Sequence, residues 1–465
     1  MKSIVSALLF CISSPLEGPD INSLKKKDLL TLGFMMFSIY FGAGNLIFPP
    51  ALGQAAGDHT MLAMLGFMTT GIGLPLLGIT AIALAGGEYV PLLRAKTWPL
   101  FATALLVILY LIIGPLFAMP RTGAVSFEIG IRPFLSEDQL GLGQFIYTAI
   151  FFSASYYLAL NPNKIIDRVG KMLTPALLIV LLILFVQAFH APLGNVLQPT
   201  GSYIESPFAQ GFQDGYQTMD LLASIAIGAL VANAVRLRGI TDSRAIGVAC
   251  LVSGLITVSL MAVVYGSLAY IGATSASVLA HSENGGQILS GAVGIFFGSG
   301  GNLLLAVIIA LACLTTCCGI TSSAAMFFNK LLKGRISYER LLLFSILFSF
   351  AASNVGLTQI IALAIPFLVT IYPLVIVFVI LSLFDRFIGW RKSIYQGAMA
   401  LTLIFSLIDG LHAAGLSSAP IHALLVEYIP FYAIMMGWVC PAIVGALVGF
   451  GASLFQTAPV TVKEA

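Results

Sequence analysis

The residues best suited to chemistry interrupt an apolar stretch near the start of the chain. The run YFGAGNLIFPPALG contains Gly42, Gly44 and Asn45, followed by Pro49 and Pro50. A membrane helix tolerates such residues only where other groups satisfy the freed backbone. A half-helix that begins here would direct its free amides at an anion, and the preceding half would offer carbonyls to a cation. We therefore expect a functional break and not a simple kink.

A second group of oxygen atoms occurs in the run LACLTTCCGITSS. Thr315 and Thr316 are adjacent, and Ala312 lies one turn before Thr316. One carbonyl and two hydroxyls form a partial shell for a hard cation, which prefers oxygen ligands. The alternative is that each hydroxyl simply bonds the carbonyl one turn earlier in its own helix.

Two carboxylates fall close to apolar segments and are the candidate proton sites. Asp220, in the run GFQDGYQTMDLLASIAIG, is expected at the extracellular start of a helix, where it is either a ligand or an N-terminal cap. Asp409 is expected near the outer end of another helix, at a depth shallow enough for a water-filled mouth. An acid within a membrane segment calls for a functional hypothesis, and here that hypothesis is proton transfer.

The composition shows what kind of element must position these residues. Hydrophobic residues make up 59% of the 465 residues and charged residues only 9%, whereas soluble domains carry about 25% charged residues. This excludes a soluble enzyme, and the net charge of +3 is too small to attract nucleic acid. The sequence contains no nucleotide-binding or hydrolase motif, so neither an enzyme nor a bound cofactor is expected.

Apolar windows of about 20 residues predict an all-α polytopic membrane protein with about twelve transmembrane helices. In chain order, their expected positions are 29–53, 61–85, 99–118, 144–160, 174–192, 219–235, 245–272, 301–329, 338–354, 357–383, 394–413 and 429–453. With both termini cytoplasmic, all of the 22 Lys and Arg residues except Arg121 and Arg132 fall on the cytoplasmic side. This asymmetry is the usual signal of orientation, and a miscounted helix would destroy it.

The chain divides into a membrane domain with two short flanks. We expect residues 1–24 to be a disordered extension, although Lys2 followed by a short apolar stretch also resembles a weak signal peptide. We expect residues 25–456 to form one transmembrane domain and residues 457–465 to form a cytoplasmic tail.

Several runs together resemble one known family. They are LGFMMFSIYFGAGNLIFPP, GPLFAMPRTGAVSFEIG, GFQDGYQTMD, SNVGLTQII and LIDG. In this order they resemble the branched-chain amino acid carrier family (the LIVCS or BrnQ-type permeases) of the amino acid–polyamine–organocation superfamily. The resemblance implies a five-plus-five inverted repeat with broken first and sixth helices. The repeats would cover about 29–192 and 219–383, with two extra C-terminal helices within 394–453.

The resemblance also implies roles for individual residues. The amides of Ala43 and Gly44 would receive the substrate carboxylate, and Asn45 matches an asparagine that helps to bind a second ion in sodium-coupled relatives. The full substrate set would be Gly42, Ala43, Gly44, Asn45, Met219 and Asp220. The sodium set would be Ser38, Phe41, Ala312, Thr315 and Thr316, with the first two contributing carbonyls.

The function implied by the resemblance is secondary active transport. A symporter of the bacterial cytoplasmic (inner) membrane would import leucine, isoleucine and valine, driven by a sodium or proton gradient. Its partners would be the small substrate and membrane lipid, with no nucleic acid and no cofactor beyond the coupling ion. The alternatives are a carrier for another small amino acid and a passive channel, which would need rings of like groups along a continuous pathway.

Overall fold

The computed structural model describes residues 26–455 apart from 86–88, 161, 280–281, 386–388, 390 and 417–418. The expected extension at 1–24 and the expected tail at 457–465 lie outside the described residues. Within the described ranges the regular elements are all helical and no strand is formed, which confirms the predicted all-α class.

The helices follow one another with short connections. The first half of the chain forms α1 (Lys26–Tyr40), α2 (Ala43–Ala56), α3 (Thr60–Met68), α4 (Leu74–Leu84), α5 (Tyr89–Lys96), α6 (Pro99–Leu111), α7 (Ala118–Gly130), α8 (Leu140–Ala159) and α9 (Pro162–His190). The second half forms α10 (Pro207–Asp214), α11 (Asp220–Arg236), α12 (Ser243–Ser275), α13 (Gly285–Leu331), α14 (Tyr338–Ser353), α15 (Leu357–Leu383), α16 (Lys392–Ala413), α17 (Ala419–Tyr428) and α18 (Val439–Leu454).

Several helical segments are long and apolar enough to cross a membrane. In the described part of the chain there are six of them, Ala43–Leu84, Pro99–Phe134, Ser243–Ser275, Gly285–Leu331, Leu357–Leu383 and Lys392–Ala413. They establish a multi-pass membrane protein, because each exceeds the roughly 20 residues that a bilayer crossing requires. The total of twelve spans and the inverted repeat stay predictions.

The first predicted span is interrupted inside its apolar stretch. Helix α1 ends at Tyr40, Phe41 and Gly42 are non-helical, and α2 begins at Ala43. The backbone of Gly42 is extended, with φ −115° and ψ −170°. The interruption was expected near residues 42–45, so it begins slightly earlier and places Gly44 and Asn45 in the first turn of α2.

The third predicted span is longer than the sequence suggested. It was expected to end at residue 118, but after a π turn at Ile112–Leu116 the chain continues as α7 to Gly130. Gly114 within that turn is non-helical, so α6 and α7 meet at a kink. The polar run that follows residue 118 lowers the hydropathy without ending the helix. As a result Arg121, which was expected in an extracellular loop, lies inside the fold.

The last predicted span is shorter than expected and begins later. Residues 429–453 were expected to form one helix, but Phe431 and Met435 adopt left-handed backbone angles, with φ of 65° and 57°. A regular α-helix cannot continue through these angles. The segment between them is therefore only a short turn, Tyr432–Ile434, and α18 starts at Val439.

Helices α2 and α12 touch backbone to backbone. A Cβ atom built on Gly53 would lie 1.9 Å from the carbonyl oxygen of Ala269, and one built on Gly272 would lie 2.0 Å from that of Pro50. Only glycine permits such a close approach, which is the usual role of small residues between membrane helices. The two helices are therefore in close backbone contact over one turn of α2, from Pro50 to Gly53.

Candidate functional site

A second helix interruption lies just before Asp220. Helix α10 ends at Asp214, a 3-10 turn covers Gly215–Thr218, and Met219 takes left-handed angles (φ 62°, ψ 13°) before α11 begins. Asp220 was expected at the extracellular start of its helix; it is indeed the first residue of α11, and the side of the membrane that it faces stays a prediction. A helix of only eight residues, Pro207–Asp214, precedes it and was not expected, because it is too short and too polar to register in an apolar window of about 20 residues.

The two interruptions meet through Asn45 and Asp220. The side-chain amide of Asn45 donates to the carbonyl of Tyr40 at 3.1 Å and to Oδ2 of Asp220 at 2.9 Å. The hydroxyl of Tyr265, on α12, donates to the same carboxylate oxygen at 3.4 Å. Asn45 and Tyr265, which bond the carboxylate, are side chains of other helices, and the N-cap of α11 makes no side-chain hydrogen bond. The capping interpretation of Asp220 is therefore disfavoured. These contacts bring Asn45 and Asp220, two of the predicted site residues, into one cluster.

Arg121 is a component of this cluster that the sequence analysis missed. Its Nη1 donates to the carbonyl of Gln217 at 2.5 Å and its Nη2 to that of Thr218 at 3.5 Å. The guanidinium lies 5.3 Å from the ring centre of Phe48, and a Cβ on Gly44 would lie only 2.8 Å from Nη2. The available signal was that Arg121 is one of two basic residues that violate the charge asymmetry.

Arg121 and Asp220 are opposite charges held in one buried region without pairing directly. The two residues are 5% and 4% exposed, and they attract each other across the sixth-helix interruption. No ion pair of 4.0 Å or less joins them among the described side chains. Nε of Arg121 and Oε1 of Gln217 are buried without hydrogen-bond partners in the described part of the chain.

The start of α2 supplies backbone amides beside Arg121. Gly42 precedes the helix and offers no side chain to cap it, while the amide of Asn45 donates to the carbonyl of Gly42 at 3.2 Å. The amides of Ala43 and Gly44 belong to the first turn, where the positive end of the helix dipole lies. An anion placed here would meet backbone donors and a guanidinium together.

The predicted cation ligands are only partly assembled. Thr316 faces the first interruption, since a Cβ on Gly42 would lie 3.7 Å from its Oγ1. The hydroxyl of Thr315 instead donates to the carbonyl of Ala312 at 2.9 Å, which is the bond within one helix that the alternative interpretation described. Ser38 lies on α1, just before the interruption at Phe41. The oxygen chemistry fits a hard cation, with Thr316 the side chain best placed for it.

Asp409 lies on α16 and belongs to a different environment. It was expected at a water-filled mouth, but the side chain is completely buried, beside Tyr432. Helix α16 packs between α15 and α18, which covers the face that carries Asp409. It remains a candidate proton site, without access to water through a mouth.

Comparison with known proteins gives a consistent result. A family model described as "Branched-chain amino acid transport protein" matches residues 25–455. The branched-chain amino acid permease BraB of Bacillus subtilis is 46% identical over 93% of this chain and 97% of its own length. The permease BrnQ of the same organism is 40% identical over 92% and 97%. Among solved structures, the nucleobase–cation symporter Mhp1, closed around bromovinylhydantoin, aligns with a TM-score of 0.55 at 14% identity and covers 95% of both chains. That likeness shows the transporter fold.

Proposed function

This chain belongs to the family of branched-chain amino acid transport proteins, and from that premise we propose that it is a secondary active symporter importing leucine, isoleucine and valine. It is a transport protein and not an enzyme. The proposed site lies where the first and sixth predicted helices are interrupted, and it comprises Gly42, Ala43, Gly44, Asn45, Met219 and Asp220.

The hydrogen bond between Asn45 and Asp220 is the observation that supports this site most strongly. It joins two interrupted helices, 175 positions apart in the sequence, at 2.9 Å. Transporters with inverted repeats bind substrate and ions between such discontinuous helices, because the half-helix ends offer unpaired amides and carbonyls. One bundle of helices would then rock around the site, so that it opens to each side of the membrane in turn.

For the coupling ion we favour sodium over the proton. Thr316 faces the break at Gly42. The carbonyls of Ser38 and Phe41, four residues and one residue before Gly42, would complete an oxygen shell together with the Ala312 carbonyl and the Thr315 hydroxyl. The hydroxyl of Thr315 would have to turn from its bond with Ala312. These groups do not ionise, so a proton-driven cycle would have to use Asp220 or Asp409 instead.

Leucine uptake into proteoliposomes tests both the transport activity and the choice of ion. We expect accumulation under an imposed sodium gradient at symmetric pH, and a reduction of about tenfold in Thr316→Ala, because one of the five or six oxygen ligands of the ion is lost. Ser323→Ala is the matched control, since that hydroxyl on the same helix bonds the carbonyl of Gly319; it should retain uptake.

Two outcomes would contradict parts of the proposal. Accumulation that ignores sodium and follows a pH gradient would overturn the cation site and favour the carboxylates. Equilibration without accumulation under either gradient would support the alternative of a passive channel. Uptake of an unrelated small amino acid in preference to leucine, isoleucine and valine would contradict the substrate assignment.

The proposed location is the bacterial cytoplasmic (inner) membrane, with both termini in the cytoplasm, as the charge asymmetry predicts.

Glu283 and Arg335 are both exposed, and this orientation places them on opposite sides of the membrane. In a variant lacking Cys11 and Cys440, a cysteine replacing Glu283 should react with an impermeant thiol reagent in intact cells. A cysteine replacing Arg335 should react only after the cells are opened. The reverse pattern would invert the orientation, and equal labelling would contradict the number of crossings between the two positions.

A further inference from the structure

We propose that Arg121 and Asp220 bind the two charged ends of a zwitterionic α-amino acid, with the guanidinium holding the carboxylate and the Asp220 carboxylate holding the ammonium group. The inference rests on the proposed function and deepens it. It adds Arg121, on α7, to the site and names the pair of charges by which the substrate is recognised. A ligand carrying only one of these charges would be rejected.

The guanidinium of Arg121 lacks a charged partner. Two of its nitrogens donate to the neutral backbone carbonyls of Gln217 and Thr218, and its Nε has no acceptor in the described part of the chain. A buried cation is normally paired with an anion, since neutral acceptors compensate poorly for its lost hydration. A carboxylate suits the planar donors of arginine, which bind it in a two-pronged arrangement. The unused Nε is one prong of such a pair.

The carboxylate of Asp220 is in the complementary situation. Its hydrogen-bond partners are the amide of Asn45 and the hydroxyls of Tyr265 and Thr218, which are all neutral. The direct ion pair that would neutralise it is absent among the described side chains, as shown above. An ammonium group brings a positive charge and three donors, and therefore satisfies what Asp220 lacks.

The two charges are adjacent in a way that suits one small molecule. Along the first span, Gly44 lies against Arg121 and its neighbour Asn45 bonds Asp220. Along the sixth, Arg121 bonds the carbonyl of Thr218, and Asp220 follows two residues later. In each of the two interrupted segments, backbone positions at most two residues apart therefore contact or carry the two opposite charges. An α-amino acid carries its two charged groups on the same carbon atom, so it can bridge them, whereas a simple amine or carboxylic acid leaves one buried charge unpaired.

Ligand-induced shifts in melting temperature test this inference on the purified full-length protein, because a ligand stabilises the state that binds it. The probes are leucine, leucinamide, which lacks the carboxylate, and 4-methylpentanoate, which lacks the ammonium group. For the wild type we expect both analogues to bind at least about 100-fold more weakly than leucine, by analogy with sites built around polar groups.

The variants separate recognition from structural support. In Arg121→Gln the preference for leucine over leucinamide should fall at least tenfold, and in Asp220→Asn the preference for leucine over 4-methylpentanoate should fall at least tenfold. Arg121→Lys keeps the positive charge and should retain most of the first preference, which also covers the case in which Arg121→Gln does not fold. Equal weakening of leucine and leucinamide in both Arg121 variants, or wild-type affinities within threefold of one another, would overturn the inference. Failure of the proposed function is distinguishable, because the wild type would then bind no branched-chain amino acid at all.

Discussion

Replacing Gly44 by valine is expected to reduce leucine uptake at least about 100-fold without preventing membrane insertion. A Cβ at this position would lie 2.8 Å from Nη2 of Arg121 and 3.2 Å from Cε2 of Phe48. The guanidinium would have to leave its bonds to Gln217 and Thr218, and a hydrogen bond to a charged group contributes about 1.5–3 kcal/mol. Two such bonds correspond to the expected loss, since about 1.4 kcal/mol is a factor of ten. The side chain would also fill the approach to the amides of Ala43 and Gly44.

Helix propensity cannot account for this effect, because valine is a better helix former than glycine. Uptake should be compared at equal amounts of protein in the membrane, with elution as a single species from size-exclusion chromatography as the test of folding. Gly451→Val is the matched control, since a Cβ there meets no atom within 4 Å. Uptake by Gly44→Val within threefold of the wild type would show that the first turn of α2 is not part of the site.

Replacing Gly272 by alanine is expected to cause the largest loss of stability of any single methyl group added to α12. Its Cβ would lie 2.0 Å from the carbonyl oxygen of Pro50, and a backbone atom cannot rotate away as a side chain does. Overpacking of this kind costs about 1–3 kcal/mol. Gly266 on the same helix has nothing within 4 Å of its Cβ, so Gly266→Ala should be neutral or gain up to about 1 kcal/mol from helix propensity.

Melting curves of the two purified variants in one detergent measure this difference directly. We expect Gly272→Ala to melt well below the wild type, or to give little monodisperse protein, and Gly266→Ala to melt at or above it. Identical curves for the two alanine variants would contradict the close approach of α2 and α12.

The sequence predicted the first interruption well because its cause is local. Two glycines, an asparagine and two prolines sit together in the run that contains Gly42 and Asn45, and each of them weakens a helix for its own reason. The predicted boundary was off by about two residues, since backbone angles at Phe41 depend on packing that composition does not report. The position of Asn45 at the interruption followed from the same reasoning, whereas that of Thr316 was implied only by the family resemblance.

The third and sixth predicted spans were harder to place from the sequence, for a physical reason. Hydropathy windows treat a polar residue as the end of a span, so the helix was ended at residue 118, three residues before Arg121. Likewise the short helix Pro207–Asp214 was not counted, so the segment before Asp220 was expected to be a loop. The charged residues of a membrane site lower the local hydropathy, so the helices that carry them are predicted to be shorter than they are. Arg121, a basic residue predicted on the non-cytoplasmic side, was therefore a sign of a buried charge and not an exception to the charge asymmetry.

The backbone contacts between α2 and α12 have a mechanical consequence. Where two helices touch through backbone atoms, no side chain between them can change its rotamer to make room. We therefore expect α2 and α12 to tilt together. The break at Phe41 and Gly42, where regular helix stops, is a point at which α2 can bend relative to α1. A movement of the first turn of α2, beside Ala43 and Gly44, is therefore expected to shift the last turns of α12 as well.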